Sequence, residues 1–135
     1  MSSASARNAI HSTFNTAWAG QTPIAWDGVE FTKPATAWVR IHVDGNTSAQ
    51  AGFGDGVLHR QSGLIFVQVF TPANTGTADA DSYAQDAADA LQYKRLTRSG
   101  ERPVRTWGAT VRTIGHRDGW FQVNVEIPFD YDEVA

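Results

Sequence analysis

Apolar residues recur every four positions at the start of the chain, at Ala6, Ile10, Phe14 and Trp18. Serines precede the run and Gly20 follows it, so the spacing predicts a helix from about Ser3 to Ala19. Ser, Thr and Asn are mediocre helix formers, and burial of the Ile10-Phe14-Trp18 stripe is what holds it. Thr22 and Pro23 turn the chain into a short extended piece, Ile24-Ala25-Trp26. Asp27-Gly28 gives a second turn before Val29-Glu30-Phe31. From Ala37 to Asp44 the period becomes two. Ala37, Val39, Ile41 and Val43 share one face, with Trp38, Arg40, His42 and Asp44 on the other. Gly45-Asn46 carries the glycine-first chemistry of a type II′ turn, which predicts an antiparallel return over Thr47–Phe53. Gly54-Asp55-Gly56 breaks that strand, and a third begins near Leu58.

The segment Gly63–Phe70 is apolar on both faces except at Gln68, the pattern of a central strand covered on both sides. A loop over Pro72–Gly76 follows, and Thr77 or Asp79 caps a second helix running to about Tyr93. Early acids (Asp79, Asp81, Asp86) and terminal Lys94 and Arg95 complement its dipole. Ala80, Ala84, Ala87 and Leu91 give it a narrow face of mostly small residues for close approach to a sheet.

The last third reads as a long hairpin. Phe121, Val123, Val125, Ile127, Phe129 and Tyr131 point one way. A two-residue Asp118-Gly119 turn sets Arg112 against Val125 and mixes the faces. A three-residue loop, Arg117-Asp118-Gly119, instead pairs Val111 with Val125, Ala109 with Ile127 and Trp107 with Phe129, and is the predicted register. Pro128, which has no amide hydrogen, predicts that the last strand is an edge or frays there. The order of helix, strand meander, helix and hairpin gives an α+β fold, two helices on a largely antiparallel sheet.

At 135 residues the chain fits a single domain, 1–135. With 41% apolar and 19% charged residues it is not a disordered chain. No apolar run reaches the ~18 residues of a membrane helix, and no secretory signal opens the sequence. There is no cysteine, hence no disulfide or thiolate chemistry. His11, His42, His59 and His116 are scattered without metal-type spacing, and Ser62-Gly63 is not a nucleophile elbow, so neither a metal nor a catalytic residue is expected. Gly52-Phe53-Gly54-Asp55-Gly56 resembles a phosphate cradle but leads into a strand, not a helix. Phe53 is either tucked onto the sheet or offered to a partner. Glu126, Asp130, Asp132 and Glu133 crowd the C-terminus as solvated acids.

Charge is uneven. Lys94, Arg95, Arg98, Arg102, Arg105, Arg112 and Arg117 are seven of the eleven basic residues, while the second helix and the tail are acidic. Separated charges of this kind serve head-to-tail self-association, or the arginines only balance neighbouring acids. A nucleic-acid surface with Trp107 as a stacking residue is disfavoured by the net charge of −3.

The run Arg60-Gln61-Ser62-Gly63-Leu64-Ile65-Phe66-Val67-Gln68-Val69-Phe70-Thr71-Pro72, then Asn74-Thr75-Gly76 and an Ala/Asp helix, resembles the small tail terminator-like proteins of long-tailed bacteriophages. Pro23-Ile24-Ala25-Trp26, Phe31-Thr32-Lys33-Pro34 before the Trp38 strand, and Ile127-Pro128-Phe129-Asp130-Tyr131 agree with it. The resemblance implies a structural, non-enzymatic role without cofactors. The protein would form a six-fold ring on the finished tail tube, stop tube polymerisation and present a surface to the head's connector. Its expected partners are itself, the tail tube protein and the connector protein. DNA only passes through the ring and no membrane is involved. Assembly would take place in the host cytoplasm and the product would sit in the virion neck. The subunit contact is expected on Arg95, Arg98, Arg102, Arg105 and Arg112, and the tube or connector contact on Phe53 and Arg60. The alternatives are another small neck or tail protein (head–tail joining or minor tail), or a small-ligand or nucleic-acid-binding module.

Overall fold

The computed structural model describes residues 2–50, 58–74, 76–98 and 100–134. Ala6, Ile10, Phe14 and Trp18 form the buried stripe of helix α1 (Ser2–Trp18). The helix ends where Ala19 and Gly20 turn left-handed, and the Trp18 indole N–H donates to Thr22 Oγ1 at 3.1 Å. Seven strands follow: β1 (Ile24–Ala25), β2 (Trp38–Gln50), β3 (Leu58–Pro72), β4 (Arg95–Arg98), β5 (Glu101–Thr106), β6 (Thr110–Arg117) and β7 (Trp120–Val134). Helix α2 (Ala78–Leu91) lies between β3 and β4 in sequence. They build one sheet in the order β1-β2-β3-β7-β5-β4, with β6 also pairing β7. The fold is α+β, and the sheet is mixed rather than wholly antiparallel, because β1 runs parallel to β2.

Both helices cover one face of the sheet. Beneath them lie Val39, Ile41 and Val43 of β2, Ile65, Val67 and Val69 of β3, and Val123, Val125 and Ile127 of β7. Burying side chains of this size contributes about 1.5–3 kcal/mol each relative to exposure, and this layer is the core. The small face of α2, with Ala80, Ala84 and Ala87, packs down on it beside Leu91.

Six sequence expectations are corrected. Gly45-Asn46 is no turn, since β2 continues to Gln50 and only slips register by a bulge between Gly45 and Thr47. Gly45 faces Gly63 across the strands, and Gly63 faces Phe129. A Cβ on Gly63 would sit 2.2 Å from the Asp44 carbonyl and 2.8 Å from the Phe129 ring. Gly63 makes floor space for Phe129, and at Gly45 local turn chemistry loses to the β2–β3 ladder that runs on through it. The reversal into β3 falls among residues 51–57, outside the described residues.

Strand β3 is central, between β2 and β7, but it is covered on one side only, and Leu64 on its other face is 36% exposed. Helix α2 stops at Leu91, so Lys94 and Arg95 are not in its last turn. Thr106 ends it. Its hydroxyl donates to the Leu91 carbonyl and accepts the Lys94 N–H at 2.7 Å, while the Thr106 N–H donates to the Lys94 carbonyl at 2.9 Å.

The hairpin turn has two residues, Asp118 and Gly119, both at positive φ, with Arg117 opposite Trp120. A bulge between Thr113 and Gly115 then restores the predicted Val111–Val125 pair. Phe129 faces Thr106 of β5, not Trp107, because residues 95–106 form two further strands. Pro128 is on no edge. Its carbonyl accepts the Trp107 N–H at 2.9 Å, so its donor-less nitrogen faces the break between β5 and β6.

Candidate functional site

The face of the sheet away from the helices is open, and the pleat decides what it displays. Successive cross-strand rows read Trp38-Phe70-Gln122, Arg40-Gln68-Asn124, His42-Phe66-Glu126, Asp44-Leu64-Pro128, then Ser62-Asp130-Arg105 and Arg60-Asp132. One end is aromatic and the other is ionic.

At the ionic end, opposite charges lie directly across neighbouring strands. Arg60 Nε reaches Asp132 Oδ1 at 2.9 Å, and Arg105 Nε reaches Asp130 Oδ1 at 2.6 Å. Arg105 also lies 3.4 Å from Asp132 Oδ2, and the Trp107 indole N–H donates to Asp130 Oδ2 at 3.0 Å. The Arg60 hydrogen bond, helped by the Arg105 charge and opposed by burial, holds the Asp132 carboxyl below its ordinary range. Outside this cluster, Arg112 pairs with Glu126 at 3.0 Å.

Arg98 is a structural residue. Its side chain is buried, with Nε donating to the Arg102 carbonyl at 2.8 Å, Nη1 lying 3.6 Å from Glu101 and the guanidinium 4.7 Å over Tyr131. Of the five arginines assigned to a subunit contact, Arg98, Arg105 and Arg112 therefore hold acids or backbone within the chain. Arg95 and Arg102 are exposed and make no ion pair among the described residues. Of the two residues assigned to a tube or connector contact, Arg60 is in the ionic cluster and Phe53 lies outside the described residues.

At the aromatic end, Trp38 is buried under its neighbours. It stacks on Phe70 at 4.2 Å, meets Trp120 edge-on at 6.0 Å and Phe31 at 5.0 Å, with the Arg40 guanidinium 5.4 Å from its ring. Trp38, Phe70, Trp120 and Arg40, with Lys33 and Arg117 on the rim, line a recess of about 280 Å³. Sequence reasoning placed Trp38 and Arg40 on this face but did not find the recess. The signal was the Trp38/Arg40 alternation opposite Phe70/Gln68.

The histidines are less scattered than their spacing implied. His11 and His42 both approach Asp27, with His42 Nδ1 at 2.7 Å and His11 Nε2 at 3.9 Å, and the Val43 N–H donates to Asp27 at 2.8 Å. The carboxylate pins the Asp27-Gly28 turn to β2. Burial pushes Asp27 up, but the Val43 and His42 hydrogen bonds and both imidazoles outweigh it and leave the group below its ordinary range. Burial lowers His11, more than the Asp27 charge raises it. No three potential metal ligands converge among the described residues.

Among the described residues no strand pairs the outer side of β6, which is an open strand edge. Val111 and Ile114 on it are about half exposed, as is Trp107, and Tyr93 is more so. Exposed apolar groups along an unpaired edge are a ready contact for another chain.

Two solved structures share this fold. One, which carries no functional name, has a TM-score of 0.69 at 21% identity, covering 93% of this chain and 94% of its own. The other is a chain from the virion of a native gene transfer agent particle, with a TM-score of 0.62 at 18% identity, covering 98% and 97%. No curated protein is significantly similar. In sequence, residues 5–129 match the profile of the phage tail terminator proteins. The match spans both helices and nearly the whole sheet, and with it the chain belongs to the phage tail terminator family, as a structural protein of the phage tail and not an enzyme.

Proposed function

We propose that the protein closes the finished tail tube as a ring, six-membered in this reading, which ends tube polymerisation and offers the head's connector a surface. The observation that carries this is the family match over residues 5–129. The gene transfer agent chain of the same fold, itself part of a virion, supports a place in the virion neck. Assembly in the host cytoplasm goes with this reading. So does a ring wide enough to let DNA pass.

The subunit contact in this reading uses the exposed Arg95 and Arg102 with the bare β6 edge. Arg98, Arg105 and Arg112 stand behind it as internal supports. Arg60, with Phe53 in the neighbouring segment, belongs to the tube or connector contact. A ring needs two different patches on each subunit, and the exposed edge of β6 supplies one of them in this reading.

Sedimentation over a wide concentration range at two salt levels, together with electron microscopy of tail tubes mixed with the protein, tests the proposal. A species growing toward six subunits, or capped tube ends that stop elongating, is the expected result. Tubes that elongate unchanged in the presence of the protein would overturn it.

A further inference from the structure

The recess at the aromatic end has features the capping reading leaves unused. Lys33, Arg40 and Arg117 are exposed around it, and none pairs with an acid among the described residues. Trp38, at 1% exposure, lines it, and its indole N–H has no hydrogen-bond partner among the described residues. A buried donor without an acceptor is uncommon and unfavourable. The floor is Phe70, Trp120 and the amide side chains of Gln68 and Gln122. Cations over an aromatic and amide floor, in a space of about 280 Å³, suit one or two carboxylate side chains with their aliphatic stems.

A complementary surface lies on the other side of the same chain. Helix α2 turns Asp79, Asp81, Asp86 and Asp89 to solvent, and no Lys or Arg pairs with them among the described residues. Asp79, Asp86 and Asp89 share one exposed face, and Asp89 is already ordered by the amides of Gln85 and Gln92. The tail acids are not available for this role, because Asp130 and Asp132 are held by Arg60 and Arg105. A nucleic acid fits the recess less well. The buried Trp38 ring offers no face for a base, Asp118 sits on the rim, and the chain is net negative.

We infer that the Lys33/Arg40/Arg117 recess of one copy receives the acidic face of α2 from a second copy. Recess and helix lie on opposite faces of the sheet, so the contact is heterologous, the type that rings require. The inference rests on the self-association in the proposed function and names the acidic partner in it. Rim charges of this kind set partner choice and salt dependence more than raw affinity.

Because the chain contains no cysteine, single cysteines report proximity between copies without background. Lys33→Cys and Asp86→Cys proteins, mixed and treated with a short bis-maleimide, should give the mixed dimer about tenfold faster than Lys33→Cys mixed with Asn8→Cys on α1. Adding Arg40→Glu and Arg117→Glu to the first protein should remove the excess. Adding Asp79→Lys and Asp89→Lys to the second should then restore it. A mixed-dimer rate equal to the Asn8→Cys control overturns the inference. If sedimentation still shows a ring, only the recess contact falls. A cross-link without any ring or capping keeps the contact and removes the capping reading. Charge reversal at Arg40 and Arg117 that abolishes binding to double-stranded DNA, with cross-linking unchanged, overturns the inference in favour of a nucleic-acid surface.

Discussion

The two faces of the sheet are built from the same three long strands but obey different physics. Under the helices, β2, β3 and β7 contribute only apolar side chains and glycine over their middle, and Ile65, Val67, Val125 and Ile127 are fully buried. On the open face the same strands carry ion pairs at one end and a cation-rimmed aromatic recess at the other. The first face is held by loss of water from apolar surface. The second is held by pairwise contacts that solvent and salt weaken. A protein with both has one side committed to its own fold and one free for other chains.

The largest test of this contrast is Ile65→Ala, beneath the helices, which should cost about 3–4 kcal/mol in a denaturant titration. Its neighbour Phe66→Ala, on the open face, should cost less than half of that, and equal losses would mean the open face is also core. Next comes the glycine floor. Gly63→Ala forces a Cβ into backbone and should cost roughly 3 kcal/mol, whereas at Gly45 a Cβ meets only the Phe129 ring at 3.5 Å and the same change should be near neutral.

Acid separates the two faces further. His11 lies below its ordinary value of 6.5, so the unfolded chain takes up a proton that the native state refuses. Stability should therefore begin to fall as pH drops below about 6.5, and His11→Gln should remove that phase. Asp27 and Asp132 lie below their ordinary 3.8, so what they contribute persists until pH falls below that value and then disappears. A thermal melting series across pH 3–8 reads both phases. The smallest effect on folding is expected from Arg95→Glu with Arg102→Glu, within about 0.5 kcal/mol, because neither holds an acid among the described residues. The same pair should weaken self-association most at low salt, and unchanged sedimentation at every ionic strength would remove them from the contact.

Periodicity made the helix-covered face readable. The four-residue stripe of α1, the small face of α2 and the alternation of β7 are each local patterns whose only stable use is burial. The misread points are those where a distant residue decides the local outcome. Gly45 looks like a turn until Gly63 of β3 is seen to pair with it and carry the ladder on to Gln50. Lys94 looks like the end of a helix until Thr106 caps it earlier. The register at Val111 was legible because one face of β7 is apolar, yet the bulge that achieves it leaves no mark in the pattern. Arg105 and Arg60 were legible as charges, but not as partners of the tail acids, since that depends on which strands lie beside β7. The recess draws on four strands, a loop and a turn, so no single stretch of sequence announces it.

Pro128 has a further consequence. It faces the gap where β6 ends and β5 begins, and it offers no donor that could bind the two together. The hairpin arm of β6 and the pair β4–β5 are thus separate tenants along one side of β7. Residues can be gained or lost in the arm, or its bulge can move, without shifting the register at Arg105–Asp130. A change in the length of the exposed β6 arm should therefore leave the Arg105–Asp130 and Arg60–Asp132 pairs in place.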